Sequence, residues 1–207
     1  MNHPIIPDSA EQNSPTLNQN PLVIWFTGLP CSGKTTLASH VEKILSGEGF
    51  KSIFLDGDEF RKQMSSDLGF SKKDRIENLR RAGETAKIIV DSGIIVLAAF
   101  ISPFSADREK IRKRIGAERF VEVYLDCPLH ICEKRDVKGH YSKARQGTLK
   151  EFTGIDSPYE VPANPEITIP TSKINVVESS RMLIQYLTPR IATKDHPPDY
   201  FFSGKRH

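Results

Sequence analysis

The chain has 207 residues, of which 38% are hydrophobic and 27% charged, and its formal net charge is +3. That balance belongs to one globular domain, long enough to bury a core without disulfide or metal staples, and not to a disordered chain. So small a charge gives no general attraction to nucleic acid or lipid, and no apolar run approaches the roughly 20 residues of a membrane-spanning helix, so neither partner is expected.

Residues 1–20 are rich in Asn, Pro, Ser and Gln without apolar periodicity, and are expected to form a flexible arm ahead of a catalytic domain over 21–192. Short β-branched runs then alternate with longer helical stretches. This predicts an α/β fold, a central parallel five-stranded sheet flanked by helices. Strands are predicted at Leu22 to Thr27, Ser52 to Leu55, Ile94 to Ala99, Val121 to Leu125 and Lys173 to Val176.

Directly after the first strand, Gly28-Leu29-Pro30-Cys31-Ser32-Gly33-Lys34-Thr35 fits G-x-x-x-x-G-K-[ST] at every fixed position, and a helix from Thr35 to Leu45 is predicted to follow. Such a loop binds ATP or GTP because glycines let phosphate oxygens reach backbone amides at a helix N-terminus. Lys34 is then expected to reach the β- and γ-phosphates and the Thr35 hydroxyl to ligate Mg²⁺. The motif alone does not separate kinases from GTPases and motor ATPases.

After the second strand come Asp56 and Asp58, where open α/β sheets hold their ligands. One of them can accept or orient the proton of an attacking hydroxyl; alternatively the pair is an acidic turn with Asp58 as a helix N-cap. A helix is predicted from Ser71, with Ser71 and Asp74 as a capping box, Ile76, Leu79, Ala82, Ala86 and Val90 at helical spacing, and Gly93 at its end. Arg75 and Asn78 share one face of it. Ile101 and Ser102 close the third strand. The stretch 135–153, with Lys138, Lys143, Arg145 and Lys150, reads either as a mobile basic lid or as an exposed charged loop.

Cys31, Cys127 and Cys132 are odd in number, without metal-like spacing, and nothing resembles a signal peptide; they are expected to be reduced thiols in a cytoplasmic protein. Residues 193–207 form a tail whose Tyr200, Phe201 and Phe202 suit docking on the body or on a partner subunit.

The motif order resembles the adenylylsulfate kinase family of P-loop kinases. The resemblance runs through the phosphate loop, Asp56-Gly57-Asp58, Leu68-Gly69-Phe70-Ser71, Asp74-Arg75, Glu77-Asn78-Leu79-Arg80-Arg81, Phe100-Ile101-Ser102-Pro103 and Arg135-Asp136-Val137-Lys138-Gly139. It ends with the most specific string, Phe152-Thr153-Gly154-Ile155-Asp156-Ser157-Pro158-Tyr159-Glu160. It implies ATP-dependent phosphorylation of the ribose 3′-hydroxyl of adenosine 5′-phosphosulfate (APS), with Mg²⁺ as cofactor.

In that resemblance Gly28 to Thr36 hold the nucleotide phosphates and Arg135 lies against the adenine of ATP. Phe70 and Phe152 sandwich the acceptor adenine, Arg61, Arg75 and Lys138 hold its phosphosulfate with Asn78 and Ile101 nearby, and Asp58 is the base or orienter with Asp56 in support. Residue by residue, the two aromatics also suit a plain core and the cations a solvated surface. Ser102 matches a residue sometimes described as a phosphoserine intermediate; a hydrogen-bonding role is preferred, because in-line transfer needs no covalent relay. A homodimer and association with a sulfate adenylyltransferase are the assemblies the family suggests.

The chain departs from the pattern at Pro30 and Cys31, where the family has Ser and Gly, at Glu59 (Asn) and at Glu151 (Gly). Two other readings stay open: a kinase of another small alcohol or nucleoside, and a non-catalytic nucleotide-binding subunit of a sulfate-activating complex.

Overall fold

The protein was analysed as a computed structural model that describes residues 18–193. Most of the expected N-terminal arm and the aromatic tail lie outside the described residues. Along the chain run β1 (Val23–Thr27), α1 (Lys34–Gly47), β2 (Ser52–Asp56), α2 (Gly57–Met64), α3 (Lys72–Asp91) and β3 (Ile95–Ala99). There follow α4 (Ser105–Ile115), β4 (Phe120–Leu125), α5 (Leu129–Lys134), α6 (His140–Arg145), β5 (Ile167–Ile169) and α7 (Val176–Ile191).

The strands form one five-stranded sheet, wholly parallel, in the order β2-β3-β1-β4-β5. β1 is central, and every residue in it is buried, as a parallel strand covered on both faces must be. Ile24 and Phe26 face a core built with Leu37, Val41 and Leu45 of α1 and Leu183 and Leu187 of α7. Val23 and Trp25 face the other core, with Leu79, Ala82, Ala86 and Val90 of α3 and Ile111 and Ile115 of α4. Of the helical spacing expected for α3, Leu79, Ala82, Ala86 and Val90 form its buried stripe while Ile76 is only half-buried, and Ser71 caps the helix by accepting from the Asp74 amide.

One predicted strand lies elsewhere in the chain. Residues 173–176 hold no strand; β5 lies at Ile167–Ile169, and Asn175 starts α7 instead. Its side chain accepts from the amides of Val177 and Glu178 while the Glu178 carboxylate accepts from the Asn175 amide, a complete capping box. Ile174 and Val176 imitate a strand only because they flank that cap. At the sheet's opposite end, Gln19 bridges Ala192, and its side chain bonds the backbones of Lys51 and Gly93. Among the described residues no helix is long and apolar enough to cross a membrane.

Candidate active site

The neighbours of β1, β3 and β4, lead away to opposite sides of the sheet, so the carboxyl end of β1 opens into the crevice where such sheets bind ligands. The phosphate loop occupies it. Gly28 has φ +153°, and a Cβ there would come within 2.8 Å of the Ser32 hydroxyl and 3.0 Å of the Leu125 carbonyl, so only glycine fits. Gly33 precedes α1 without any side-chain cap, which leaves the helix's first amides free for an anion.

Lys34 is buried, and its ammonium donates to the carbonyls of Gly28 (3.0 Å) and Leu29 (2.7 Å). Burial lowers its pKa from the ordinary lysine value to about 8, against the opposing pull of nearby groups that include the Asp58 and Asp56 carboxylates. Cys31 stands at φ +60°, left-handed backbone that costs a non-glycine residue about 1 kcal/mol. Although Cys31 is exposed, local desolvation and the Asp136 carboxylate push its thiol up, so it is a neutral thiol and a poor nucleophile. All three cysteines are free.

Asp56, not Asp58, is the N-cap of α2, which corrects the acidic-turn alternative. Its Oδ1 accepts from the amides of Asp58 (2.9 Å) and Glu59 (3.2 Å), and its Oδ2 accepts from the Thr35 hydroxyl at 2.7 Å. One carboxylate thus joins the acceptor side to the phosphate loop. The capping frees Asp58, which is exposed in the first helical turn and accepts from the Lys138 ammonium at 3.1 Å. Glu59 instead pairs with Lys62 at 2.6 Å on the exposed side of the same helix.

The acceptor side is lined by aromatics and cations. Phe70 is 66% exposed, with the Arg61 guanidinium 4.9 Å from its ring centroid and donating to the Gly69 carbonyl. Arg75 donates to the Phe70 carbonyl (2.8 Å), to the Thr153 hydroxyl (3.0 Å) and to the Glu151 carbonyl, so it fastens α3 to the segment around Phe152. Asn78 is buried with its Oδ1 unpartnered. Glu151, at φ +56°, is, like Cys31, a non-glycine residue on left-handed backbone. Both departures fall where the resembling family has glycine.

Ser102 is 2% exposed at φ +40°. Its hydroxyl accepts from the Trp25 indole (3.1 Å) and donates to Thr27 (3.1 Å), whose own hydroxyl donates to the Ile101 carbonyl (2.8 Å) and lies 2.9 Å from the Tyr159 hydroxyl. Enclosed in this way, the Ser102 hydroxyl bonds to buried groups of the protein and not to an open pocket. The reason is the inward-facing Trp25, whose indole N–H needs a buried acceptor. Arg108, 3% exposed, donates to the carbonyls of Ser102 (2.7 Å) and Glu160 (2.8 Å) and pairs with Glu122 at 2.7 Å. Sequence spacing does not mark Trp25, Thr27, Arg108 and Tyr159 as parts of the site; the available signal is a tryptophan and a threonine in a buried strand otherwise made of Val, Ile and Phe.

Arg135 donates to the Thr171 carbonyl at 2.7 Å and borders a cavity of about 450 Å³ that runs from Cys31 and Lys34 to Asn175 and Ser179. It can hold a flat base against the guanidinium beside the phosphate loop. Magnesium fits the oxygens of Thr35 and Asp56: hard donors, few enough to leave positions for water and phosphate. Among the described residues no cluster of three or more His, Cys, Asp or Glu forms a ready-made metal cage.

Three comparisons agree on what this arrangement is similar to. The profile of the adenylylsulphate kinase family matches residues 20–170. An adenylyl-sulfate kinase of Clostridium kluyveri is 51% identical over 181 residues, 87% of this chain and 90% of the relative, and one of Marinobacter nauticus is 50% identical over 185 residues, 89% and 93%. The solved Mycobacterium tuberculosis APS kinase CysC, in complex with AMPPNP and APS, superposes with a TM-score of 0.77 at 43% identity, covering 81% of this chain and 98% of that one.

Proposed function

The chain belongs to the adenylylsulfate kinase family, and from that premise we propose that its crevice transfers the γ-phosphate of ATP to the ribose 3′-hydroxyl of APS, giving ADP and 3′-phosphoadenosine 5′-phosphosulfate. The observation that supports the reading is electrostatic: the Asp58 carboxylate, in the first turn of α2, lies close enough to the Lys34 ammonium of the phosphate loop to oppose the lowering of its pKa by burial. A nucleotide on the loop and a sugar hydroxyl at Asp58 then meet in one pocket.

In this reading Asp58 receives the proton of the attacking hydroxyl and Lys34 neutralises charge on the β- and γ-phosphates, so catalysis is positioning plus electrostatics. Thr35 and Asp56 hold Mg²⁺, which supplies further charge neutralisation when bound. Phe70 and Phe152 stack on the acceptor adenine, each contact worth about 1–3 kcal/mol. Arg61, Arg75 and Lys138 receive the phosphosulfate, so Arg75 and Lys138 exchange their present partners, Glu151 and Asp58, for the substrate anion. Ser102, held by Trp25, Thr27 and Arg108, is a strut beneath the acceptor loop and not a covalent relay. Residues 21–192 form the catalytic unit, and 135–153 close over both ligands to exclude water.

The test is an acceptor screen. Purified protein with Mg-ATP releases ADP rapidly with APS and slowly with sugars and nucleosides. Equal or faster release with another alcohol overturns the acceptor assignment, and no release with any acceptor favours a binding subunit.

A pH dependence follows from Lys34. Phosphate binds the charged ammonium and raises its pKa, so the free protein must take up a proton on binding once the pH exceeds about 8. Affinity for an ATP analogue is therefore flat from pH 7 to 8 and falls above it by up to about tenfold per pH unit. Calorimetry in buffers of different ionisation enthalpy detects the proton uptake at pH 8.5; its absence there contradicts the assignment.

A further inference from the structure

Tyr141 on α6 has no role of its own in the mechanism above beyond belonging to the segment 135–153, yet it touches both halves of the site. It is 2% exposed, and its hydroxyl donates to the Pro30 carbonyl of the phosphate loop at 2.9 Å. Its ring meets Phe152 edge to face, with centroids 4.9 Å apart and planes at 81°. Its amide donates to the Asp136 carboxylate at 2.6 Å, which anchors α6 to the chain beside Arg135.

These contacts belong to a small core separate from the two that cover the sheet. Tyr141, Cys127 and Cys132 are its buried members, and Leu29 of the phosphate loop and Phe152 pack against them. The approach is close: a Cβ on Gly154 would come within 2.9 Å of Leu29. The backbone around Phe152 is already fixed, because the Asp156 carboxylate accepts from the amides of Glu151 (2.7 Å) and Phe152 (2.5 Å) and Arg75 holds Thr153. What remains free is the direction of the Phe152 ring, and Tyr141 lies against its edge.

The phosphate loop changes partners when a nucleotide arrives. The Lys34 ammonium, now bound to the Gly28 and Leu29 carbonyls, turns to the phosphates and releases two carbonyls next to Pro30. A rearrangement there reaches the Tyr141 hydroxyl directly, since that hydroxyl donates to the Pro30 carbonyl.

We propose that Tyr141 is a positioning residue that couples nucleotide occupancy of the phosphate loop to acceptor affinity at Phe152. The inference rests on the reading that Phe152 stacks on the acceptor base. Because coupling is reciprocal, an acceptor bound at Phe152 also tightens the hold on the nucleotide.

The experiment is a thermodynamic cycle. APS binding is measured by calorimetry with and without saturating ADP, in the wild-type protein and in Tyr141→Phe, which keeps the ring and removes the hydroxyl. In the wild type ADP strengthens APS binding; in the variant that strengthening falls about three- to tenfold, the worth of one buried hydrogen bond, while ADP affinity measured alone stays within about twofold. A merely structural role would weaken APS binding equally with and without ADP, and that result overturns the inference. So does a variant whose coupling matches the wild type, or a wild type without coupling. If the wild-type protein binds no APS in either state, the substrate assignment itself falls and the inference with it.

Discussion

Replacing Asp58 with asparagine lowers turnover with APS by about 10²–10⁴-fold, the range a positioned general base contributes, while nucleotide affinity stays near wild type. The asymmetry follows from the division of labour in α2. Asp56 caps the helix and touches Thr35, so the first turn does not depend on the Asp58 carboxylate for its shape. Asparagine preserves volume and can still accept from Lys138, but it cannot take a proton from a sugar hydroxyl. Steady-state ADP release gives turnover, and calorimetry with an ATP analogue gives the affinity. A variant that turned over within a few-fold of wild type would assign the base elsewhere.

The second large effect is expected at Lys34. In Lys34→Met the second-order rate constant for ATP falls by about 10²–10³-fold, comparable to removing one preorganised donor from a developing anion. Folding responds differently. The pKa of Lys34 is lowered by burial, so the charged form is disfavoured in the folded state, and the penalty is fully present below pH 8 and fades as the pH rises toward the unfolded lysine value. Methionine removes that penalty and loses the bonds to Gly28 and Leu29, two effects of opposite sign, so at pH 7 Tm stays within about 4 °C of wild type. Scanning calorimetry and a rate assay on one preparation separate the two. Collapse of Tm together with activity would mean that Lys34 chiefly holds the loop together.

Two of the left-handed non-glycine positions give the departures from the family pattern a physical meaning. Cys31 and Glu151 stand at φ +60° and +56°, where glycine is unstrained and any side chain costs about 1 kcal/mol. From the sequence these were only unusual residues beside an anion site. The backbone puts both in the conformation glycine favours, and the surroundings tolerate a side chain there: Cys31 is exposed, while Arg75 and Asp156 hold the Glu151 backbone from both sides. Glu59, by contrast, lies on ordinary helix and turns to Lys62.

Local rules carried the reading wherever a motif lies within one segment. The phosphate loop, the buried stripe of α3 and its Ser71 cap, and four of the strands depend on spacing and on glycine sterics, which act between residues near in sequence. Two features did not yield to that reading. The fifth strand is three residues long, too short to show alternation beside the capping box at Asn175. The roles of Asp56 and Asp58 as cap and free carboxylate depend on Thr35, 21 positions away.

The chemistry a segment can offer was thus written in the sequence: a phosphate cradle, a pair of carboxylates, a basic cover with aromatics. Which of those groups meet was decided by the packed sheet alone. Ser102 lies inside because Trp25 lies inside, 77 residues earlier in the chain, and Tyr141 reaches Pro30 across 111 positions. A buried donor must find an acceptor wherever the fold brings one, and no short-range pattern records which one that is.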